Sequence, residues 1–412
     1  MLLEFSVKNF LSFKDKVTLS MIGNATKGLD DNYVLVNDKK VLKTLAIYGA
    51  NASGKTKLFE TLVRVVYMLT NSNNININEK LPIEPFKLDK KSKESPSEFE
   101  IRFLAKKIKY VYGFVADKDK IYDEYLYYYP NGRETKIFDR TKTNTYSFNQ
   151  KDTKMLNDIA SKTAENKFFL ATATNWNYEK TKDAYIFLTS DILLFNNLPD
   201  LKDEALKRYK NGDDKLKKLA LNYLKQADIN IVDYDIIENS VPEKILDMLP
   251  DIIKKDAKIN TKILSATFKH KNSDEHLTLE EESVGTQIVF YFIPFIVEAL
   301  KEGKVIIVDE LDRSLHPYLT EMIINMFNKK ELNKSNAQLI FNTYDINLLK
   351  LNILRRDQIW FTEKDNNTAS CDLYSLSDFS VRKNENYEKG YMLGRYGAVP
   401  FIKNDFNLWE EK

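Results

Sequence analysis

One cysteine in 412 residues, Cys371, excludes an intramolecular disulfide and any metal centre built on several thiolates. Three scattered histidines, His270, His276 and His316, offer no metal-ligand spacing. A reducing cytoplasm is the expected home of such a chain. Charge of one sign is missing too: 62 Lys plus Arg face 60 Asp plus Glu, a formal net charge of +2, which removes any bulk electrostatic drive toward nucleic acid or an anionic membrane and leaves only local patches. No stretch approaches the ~18 uninterrupted apolar residues of a membrane-spanning helix, so none is expected. The opening MLLEFSVKNFLSF alternates like a strand and lacks the basic head and long apolar run of a secretion signal. There is no internal repeat and no heptad run long enough for a coiled coil.

What is present is core material. Hydrophobic residues make up 43% and aromatics 12%, with 24 Phe and 23 Tyr, a share that a disordered chain would not carry. Alternation over Leu2–Phe10 and Lys16–Met21 predicts an opening hairpin. The run TLAIY (Thr44–Tyr48), a glycine-containing loop and KLFETLVRVVYML, apolar at helical spacing, predict buried strand, loop and helix. After the polar Asn71–Asn78 tract come FEIRFLA, KYVYGFVA, IYDEYLYYY and KIFDR, an antiparallel sheet region between Ile83 and Phe148. From Lys151 to Asp256 the pattern reads as helical. Its Lys-rich stretch Leu206–Lys225 is interrupted by Asp213 and Asp214 and reads as a solvated helix face. From Thr261 strands and helices alternate: KILSATF, a helix over Thr286–Leu300, VIIVD, a helix after His316, AQLIFN, a helix over Ile346–Leu351, and QIWFT. Such alternation predicts a largely parallel sheet flanked by helices. The expected organisation is an α/β core shared by 1–150 and 258–412, with 151–257 as a helical insertion.

The chemistry concentrates in two places. Gly49, Ala50, Asn51, Ala52, Ser53, Gly54, Lys55 and Thr56 match G-x-x-x-x-G-K-[ST] between a predicted strand and a predicted helix. Glycines allow close backbone approach to a phosphate chain, and N–H groups at a helix start suit an anion. Lys55 would meet the terminal phosphates, and the Thr56 hydroxyl would join Mg²⁺, which prefers oxygen ligands. The second place is the β-branched run Val305–Val308 closed by Asp309 and Glu310. Asp309 would hold Mg²⁺ through water, and Glu310 would orient or deprotonate the attacking water. Read bare, EESVGTQ (Glu281–Gln287) is a helix start capped by Ser283.

Taken with VIIVDELDRSLHP (Val305–Pro317), however, EESVGTQ resembles the signature loop and Asp–Glu box of ABC-type ATPases of the SMC-like and OLD-like branch. VKNFLSF (Val7–Phe13) resembles that branch's first strand. LRRDQIWFTEKD (Leu354–Asp365) and GRYGAVPF (Gly394–Phe401) resemble the AAA-family ATPase subunits of bacterial abortive-infection anti-phage systems. The resemblance implies a P-loop ABC-type head with a β-rich lobe and a helical insertion, using ATP and Mg²⁺. It also implies two heads packed head to tail, as a homodimer or higher oligomer, with Ser283, Gly285 and Gln287 of one contacting the γ-phosphate held by the other. Asp312 falls at the D-loop, and His316 with Pro317 matches the SLHP turn. FNTYDINLL (Phe341–Leu349) matches the segment that carries a switch histidine after Thr, and here the position is Tyr344. A phenol with a pKa near ~10 does not exchange protons near neutrality as imidazole does, so slow hydrolysis is expected, or ATP used mainly as a clamp.

Three functions compete at this level. In the first, the chain is a nucleotide-dependent sensor and scaffold in anti-phage defence. OLD-like proteins carry a Toprim-type nuclease after the ATPase, and the sequence here closes at Lys412, soon after Phe401, so an effector, nuclease or other toxin, is expected on a separate polypeptide. The second is an SMC-like ATPase that binds DNA ends in repair or recombination; the charge balance and the lack of heptads speak against it. The third, a toxin with its active site hidden in the insertion, lacks any HNH, Toprim or metal-ligand cluster there.

Overall fold

The computed structural model describes residues 1–227, 229–240, 262–349, 353–380 and 386–400. The chain divides into two compact units, the first comprising Met1–Asn196, Gly303–Glu310 and Glu321–Lys412, the second Asn197–Glu302 and Leu311–Thr320.

In the first unit, β1 (Leu2–Lys8) and β2 (Val17–Ser20) form the expected antiparallel hairpin. The hairpin of β3 (Tyr33–Val36) and β4 (Lys39–Leu42) follows, then β5 (Thr44–Tyr48), α1 (Lys55–Asn71) and the one-turn α2 (Lys90–Lys93). Strands β6 (Ser97–Ala105), β7 (Ile108–Ala116), β8 (Ile121–Tyr129), β9 (Thr135–Thr141) and β10 (Thr145–Phe148) complete a seven-stranded antiparallel sheet in the order β10-β9-β8-β7-β6-β1-β2. Alternation does the sorting: Phe99, Ile101 and Phe103 of β6 are buried, while Glu98, Glu100 and Arg102 between them are half-buried on the other face.

Helices α3 (Thr153–Ser161), α4 (Phe169–Asn175) and α5 (Glu179–Ser190) cover the inner face of this sheet. Phe187 stacks on Phe103 at 4.5 Å, and Phe168 meets Phe114 edge-on at 4.9 Å. A fully buried acidic group sits in this layer. The Glu124 carboxylate accepts from the backbone N–H groups of Phe169 and Leu170 at the start of α4 and from the Tyr112 hydroxyl, and Arg140 lies 3.7 Å away.

The core sheet runs in the order β11-β15-β16-β5-β17-β18, with β11 (Ile192–Phe195), β15 (Val305–Val308), β16 (Gln338–Asn342) and β17 (Ile359–Lys364) parallel to β5 and β18 (Cys371–Ser375) antiparallel at the edge. Strands β5, β15 and β16 are buried at every position, as parallel strands covered on both faces must be.

The second unit is built from α6 (Lys202–Lys210), α7 (Asp214–Gln226), the sheet β12 (Ile231–Ser240), β13 (Lys262–His270) and β14 (His276–Thr278), and α8 (Val284–Glu302). The Lys-rich stretch is a surface as expected: α7 buries Ala220, Tyr223 and Leu224, and Lys217 pairs with Asp233 and Asp235. Among the described residues α8 alone is long and apolar enough to cross a membrane by length and composition. Its apolar side instead packs within the unit, where Phe290 stacks on Tyr209 at 4.3 Å and meets Tyr234 and Phe268 edge-on. Helix α9 (Pro317–Asn328) follows β15, and α10 (Tyr387–Met392) closes the described elements.

The expected boundaries need revision. Residues 151–196 belong with the first unit, because α3 to α5 are the second layer of the β lobe and β11 is an edge strand of the core sheet. The second unit begins at Asn197 and includes three strands as well as helices. Residues 241–257 of the expected insertion lie outside the described residues. Of the helix expected over Ile346–Leu351, Ile346–Leu349 form a 3₁₀ turn, and residues 350–351 lie outside the described residues.

Candidate nucleotide-binding site

Strand order alone decides what can meet. β16 lies between β15, which leads into Asp309 and Glu310, and β5, which feeds the Gly49–Thr56 loop, so three carboxyl strand ends converge on one edge of the sheet. The loop is tightly built. A Cβ at Gly49 would lie 2.5 Å from both Ser53 Oγ and the Thr362 carbonyl oxygen, and one at Gly54 would lie 2.9 Å from Cys371 Cβ and Sγ. Ser53 is itself buried, with its Oγ 2.7 Å from Thr362 Oγ1, while Asn51 and Ala52 are exposed at the loop's crest and Ala52 has φ 61°. Helix α1 starts at Lys55, and no side chain caps its N-terminus.

Lys55 is 4% exposed, and its Nζ donates to the carbonyl oxygens of Gly49 at 2.6 Å and Ala50 at 3.0 Å. The same ammonium lies 4.1 Å from the ring centroid of Tyr344. Thr56 donates its hydroxyl to Asp309 Oδ1 at 3.2 Å. Asp309 is buried at the end of β15, and Glu310 is half-buried with φ 53°. The donor set suits a divalent cation: the hydroxyl and carboxylate oxygens of Thr56 and Asp309 already converge, beside a loop that ends in a lysine. On the Ala52 side a cavity of about 270 Å³ opens, bounded by Leu11, Ser12, Lys57, Lys364 and Cys371. Burial pushes the Cys371 thiol above its ordinary value.

Gly49 to Thr56, Asp309, Glu310 and Tyr344 thus come together within the first unit. Ser283, Gly285, Gln287 and Asp312 fall in the second. There the Ser283 Oγ accepts from the Thr286 N–H at 3.1 Å, the plain helix cap. The Gln287 side chain donates to the Glu282 carbonyl at 2.9 Å, and a Cβ at Gly285 would lie 3.1 Å from the Ser314 carbonyl oxygen, so Gly285 packs against the segment that follows Asp312. His270 Nε2, 2.6 Å from Glu282 Oε1, braces the residue before Ser283. His316 is exposed beside Tyr318.

A family model described as "AAA domain, putative AbiEii toxin, Type IV TA system" (AAA_21) matches residues 45–350, from the strand before the loop to the turn after Tyr344. The chain belongs to the AAA_21 family. No curated protein matches it in sequence. Among solved structures it is similar to an SMC head bound to the C-terminal winged-helix domain of ScpA, at 14% identity and TM-score 0.46, covering 91% of this chain and 97% of that one. It is also similar to the SMC head domain from Thermotoga maritima, at 12% identity and TM-score 0.42, covering 91% and 98%. A third is the Smc head with an extended coiled coil, bound to the C-terminal domain of ScpA, from Pyrococcus furiosus, at 12% identity and TM-score 0.40, covering 96% and 98%.

This AAA_21 chain has site residues that sequence reasoning missed. Asn342, fully buried at the end of β16, donates its Nδ2 to Asp309 Oδ1 and accepts the Glu310 N–H at 2.5 Å through its Oδ1. Tyr48, just before Gly49, donates its hydroxyl to the Asp345 carbonyl at 3.0 Å and meets the Tyr391 ring at 5.8 Å. Burial and the neighbouring Tyr344 push the Tyr391 phenol up to about 12. The signal for Asn342 was a polar residue ending an otherwise apolar strand, AQLIFN, visible but ambiguous without the strand order.

Proposed function

We propose that this AAA_21 chain is an ATP-hydrolysing switch that acts in the cytoplasm in anti-phage, abortive-infection defence and controls a separate toxic effector, a nuclease being the leading class. The observation that carries the reading is the convergence of the Gly49–Thr56 loop, the Thr56–Asp309 oxygen pair and Glu310 at neighbouring strand ends. Loop N–H groups at the start of α1 bind the phosphate chain, and Lys55 exchanges the Gly49 and Ala50 carbonyls for the terminal phosphates. Glu310 orients the attacking water and accepts its proton. Thr56 and Asp309 would hold Mg²⁺, which would supply neutralisation of the charge that develops on the transferring phosphoryl group. Ser283, Gly285, Gln287 and Asp312 of a second copy close over the nucleotide, so ATP joins heads into a dimer or higher oligomer. With Tyr344 where imidazole would exchange a proton, turnover is slow and the joined state long-lived.

Light scattering of wild type and Glu310→Gln with and without Mg-ATP, run beside phosphate release, tests this. Mass growth on ATP, trapped by the Gln variant, supports the switch. Constant mass with brisk turnover stimulated by DNA ends refutes it in favour of a repair ATPase.

A further inference from the structure

We infer that Asn342 is a positioning residue for hydrolysis, holding the Asp309–Glu310 pair in its working geometry; the inference rests on the hydrolytic reading of Glu310 given above. The ladder between β15 and β16 ends at Val308 opposite Phe341, so Asp309 and Glu310 run past the last paired residue. The Asp309 N–H donates to the Phe195 carbonyl at 2.9 Å, on the β11 side. Glu310 turns into the left-handed region at φ 53°, a conformation that costs a non-glycine residue about 1 kcal/mol or more unless its surroundings fix it. A buried carboxamide braces it. Asn342 Oδ1 accepts the Glu310 N–H, and Asn342 Nδ2 donates to Asp309 Oδ1, the same oxygen that accepts from Thr56.

The orientation of this amide is set by chemistry. Reversed, it would point an NH₂ at the Glu310 N–H and an oxygen at the Asp309 carboxylate, two repulsions in place of two bonds. A carboxamide is therefore the group that can serve both neighbours: a carboxylate loses the donor, a hydroxyl lacks the reach to bridge both, and an alkyl group serves neither. Asn342 is fully buried at the strand end, so displacing the amide moves the peptide that carries Glu310. Nucleotide binding should be largely spared, because the Gly49–Thr56 loop keeps its own contacts to Thr362 and Cys371.

The test is a double-mutant cycle on the full chain. Asn342→Ala should lower kcat for ATP about 10–100-fold, as loss of a supporting partner does, with affinity for mant-ATP changed less than about threefold. Asn342→Asp, which keeps volume and the acceptor, should lose turnover likewise and serves if the alanine variant fails to fold. In a Glu310→Gln background, single-turnover measurements with labelled ATP should show Asn342→Ala adding less than about a twofold further loss, because the two residues act as a unit. Undiminished kcat in both Asn342 variants overturns the inference, as does a full multiplicative loss in the double variant, which marks a merely structural role. Wild-type turnover in Glu310→Gln alone would instead remove Glu310 from the chemistry and overturn the reading on which both rest.

Discussion

Replacing Tyr344 by Leu should make the protein bind Mg-ATP more tightly. The Tyr344 ring centroid lies 4.1 Å from Lys55 Nζ; the lysine is 4% exposed and the tyrosine 47%. Cation–π pairs run from about 0.5–1 kcal/mol when exposed to about 2 kcal/mol when desolvated, and a buried ammonium under a half-exposed ring belongs near 1 kcal/mol. A phosphate that recruits Lys55 must displace this contact along with the Gly49 and Ala50 carbonyls. Removing the ring removes one competitor, so about 1 kcal/mol becomes roughly a fivefold gain in affinity. Mant-ATP titration at fixed Mg²⁺ measures it, with Lys55→Ala as the non-binding control. Tyr344→Phe keeps the π-face and should leave affinity within about twofold of wild type, separating ring from hydroxyl. Affinity that is unchanged or weaker in Tyr344→Leu would refute the competition and place the tyrosine with the nucleotide instead.

Cys371, buried under Gly54 with its thiol pushed above the ordinary value, should react with Ellman's reagent at pH 8 far more slowly than after unfolding in guanidinium; equal rates would contradict that packing. The folded chain keeps a proton that the unfolded chain sheds above about pH 9, so this thiol's contribution to stability falls as pH rises past that value, readable in urea melts at pH 8 and 10. Glu124→Gln leaves Arg140 charged and buried without its counter-ion and should cost about 3 kcal/mol in urea denaturation; a loss below about 1 kcal/mol would show the pair to be dispensable. Gly394 and Gly397 have φ 72° and 64°, so alanine costs each about 1 kcal/mol of backbone conformation. At Gly397 the new Cβ would also fall 2.5 Å from Glu363 Oε2 and 2.6 Å from Tyr374 Oη, whereas at Gly394 it meets only Val399 Cγ2 at 3.4 Å, so Gly397→Ala should lose clearly more stability and equal losses would refute the steric argument.

Local pattern was enough for the nucleotide loop, the first hairpin and the buried strands β5, β15 and β16, because in each a period or a motif coincides with burial. Pattern failed where tertiary context decides. ILLF at 192–195 is too short to separate from the helix before it, and only pairing with Val305–Val308 makes it the edge strand β11. IVDYDIIENS at 231–240 carries enough acidic residues to look like a helix surface, yet it pairs along Lys262–His270 as β12. The site divided in the same way. Lys55, Thr56, Asp309 and Glu310 follow from sequence signatures, but Asn342 has none, since its role depends on which strand stands beside which. The Tyr344 position was legible as a departure from a histidine; that its ring would face Lys55 was not.

That dependence on strand order also explains why residues far apart in sequence act on one loop. The span 342–345 closes β16 and is tied to both neighbours. Toward β15, Asn342 holds Asp309 and the Glu310 N–H; toward β5, the Thr343 N–H donates to the Ile47 carbonyl at 3.2 Å, and the Tyr48 hydroxyl donates to the Asp345 carbonyl at 3.0 Å. Tyr344, in the middle of the span, faces Lys55. One more step leads outward, because Tyr48 touches Tyr391, Tyr391 stacks on Phe361 of β17, and Tyr391 donates its hydroxyl to the Ala398 carbonyl. Ala398, remote from the nucleotide loop in sequence, is therefore linked through Tyr391 to Tyr48, the residue that precedes Gly49. On the proposed reading, a shift of Lys55 toward phosphate would release Tyr344, and the same short span that carries Tyr344 also carries Asn342, bonded to the Glu310 N–H. In the proposed mechanism, charge neutralisation at the loop and placement of Glu310 are for that reason a single mechanical problem, solved at the end of β16.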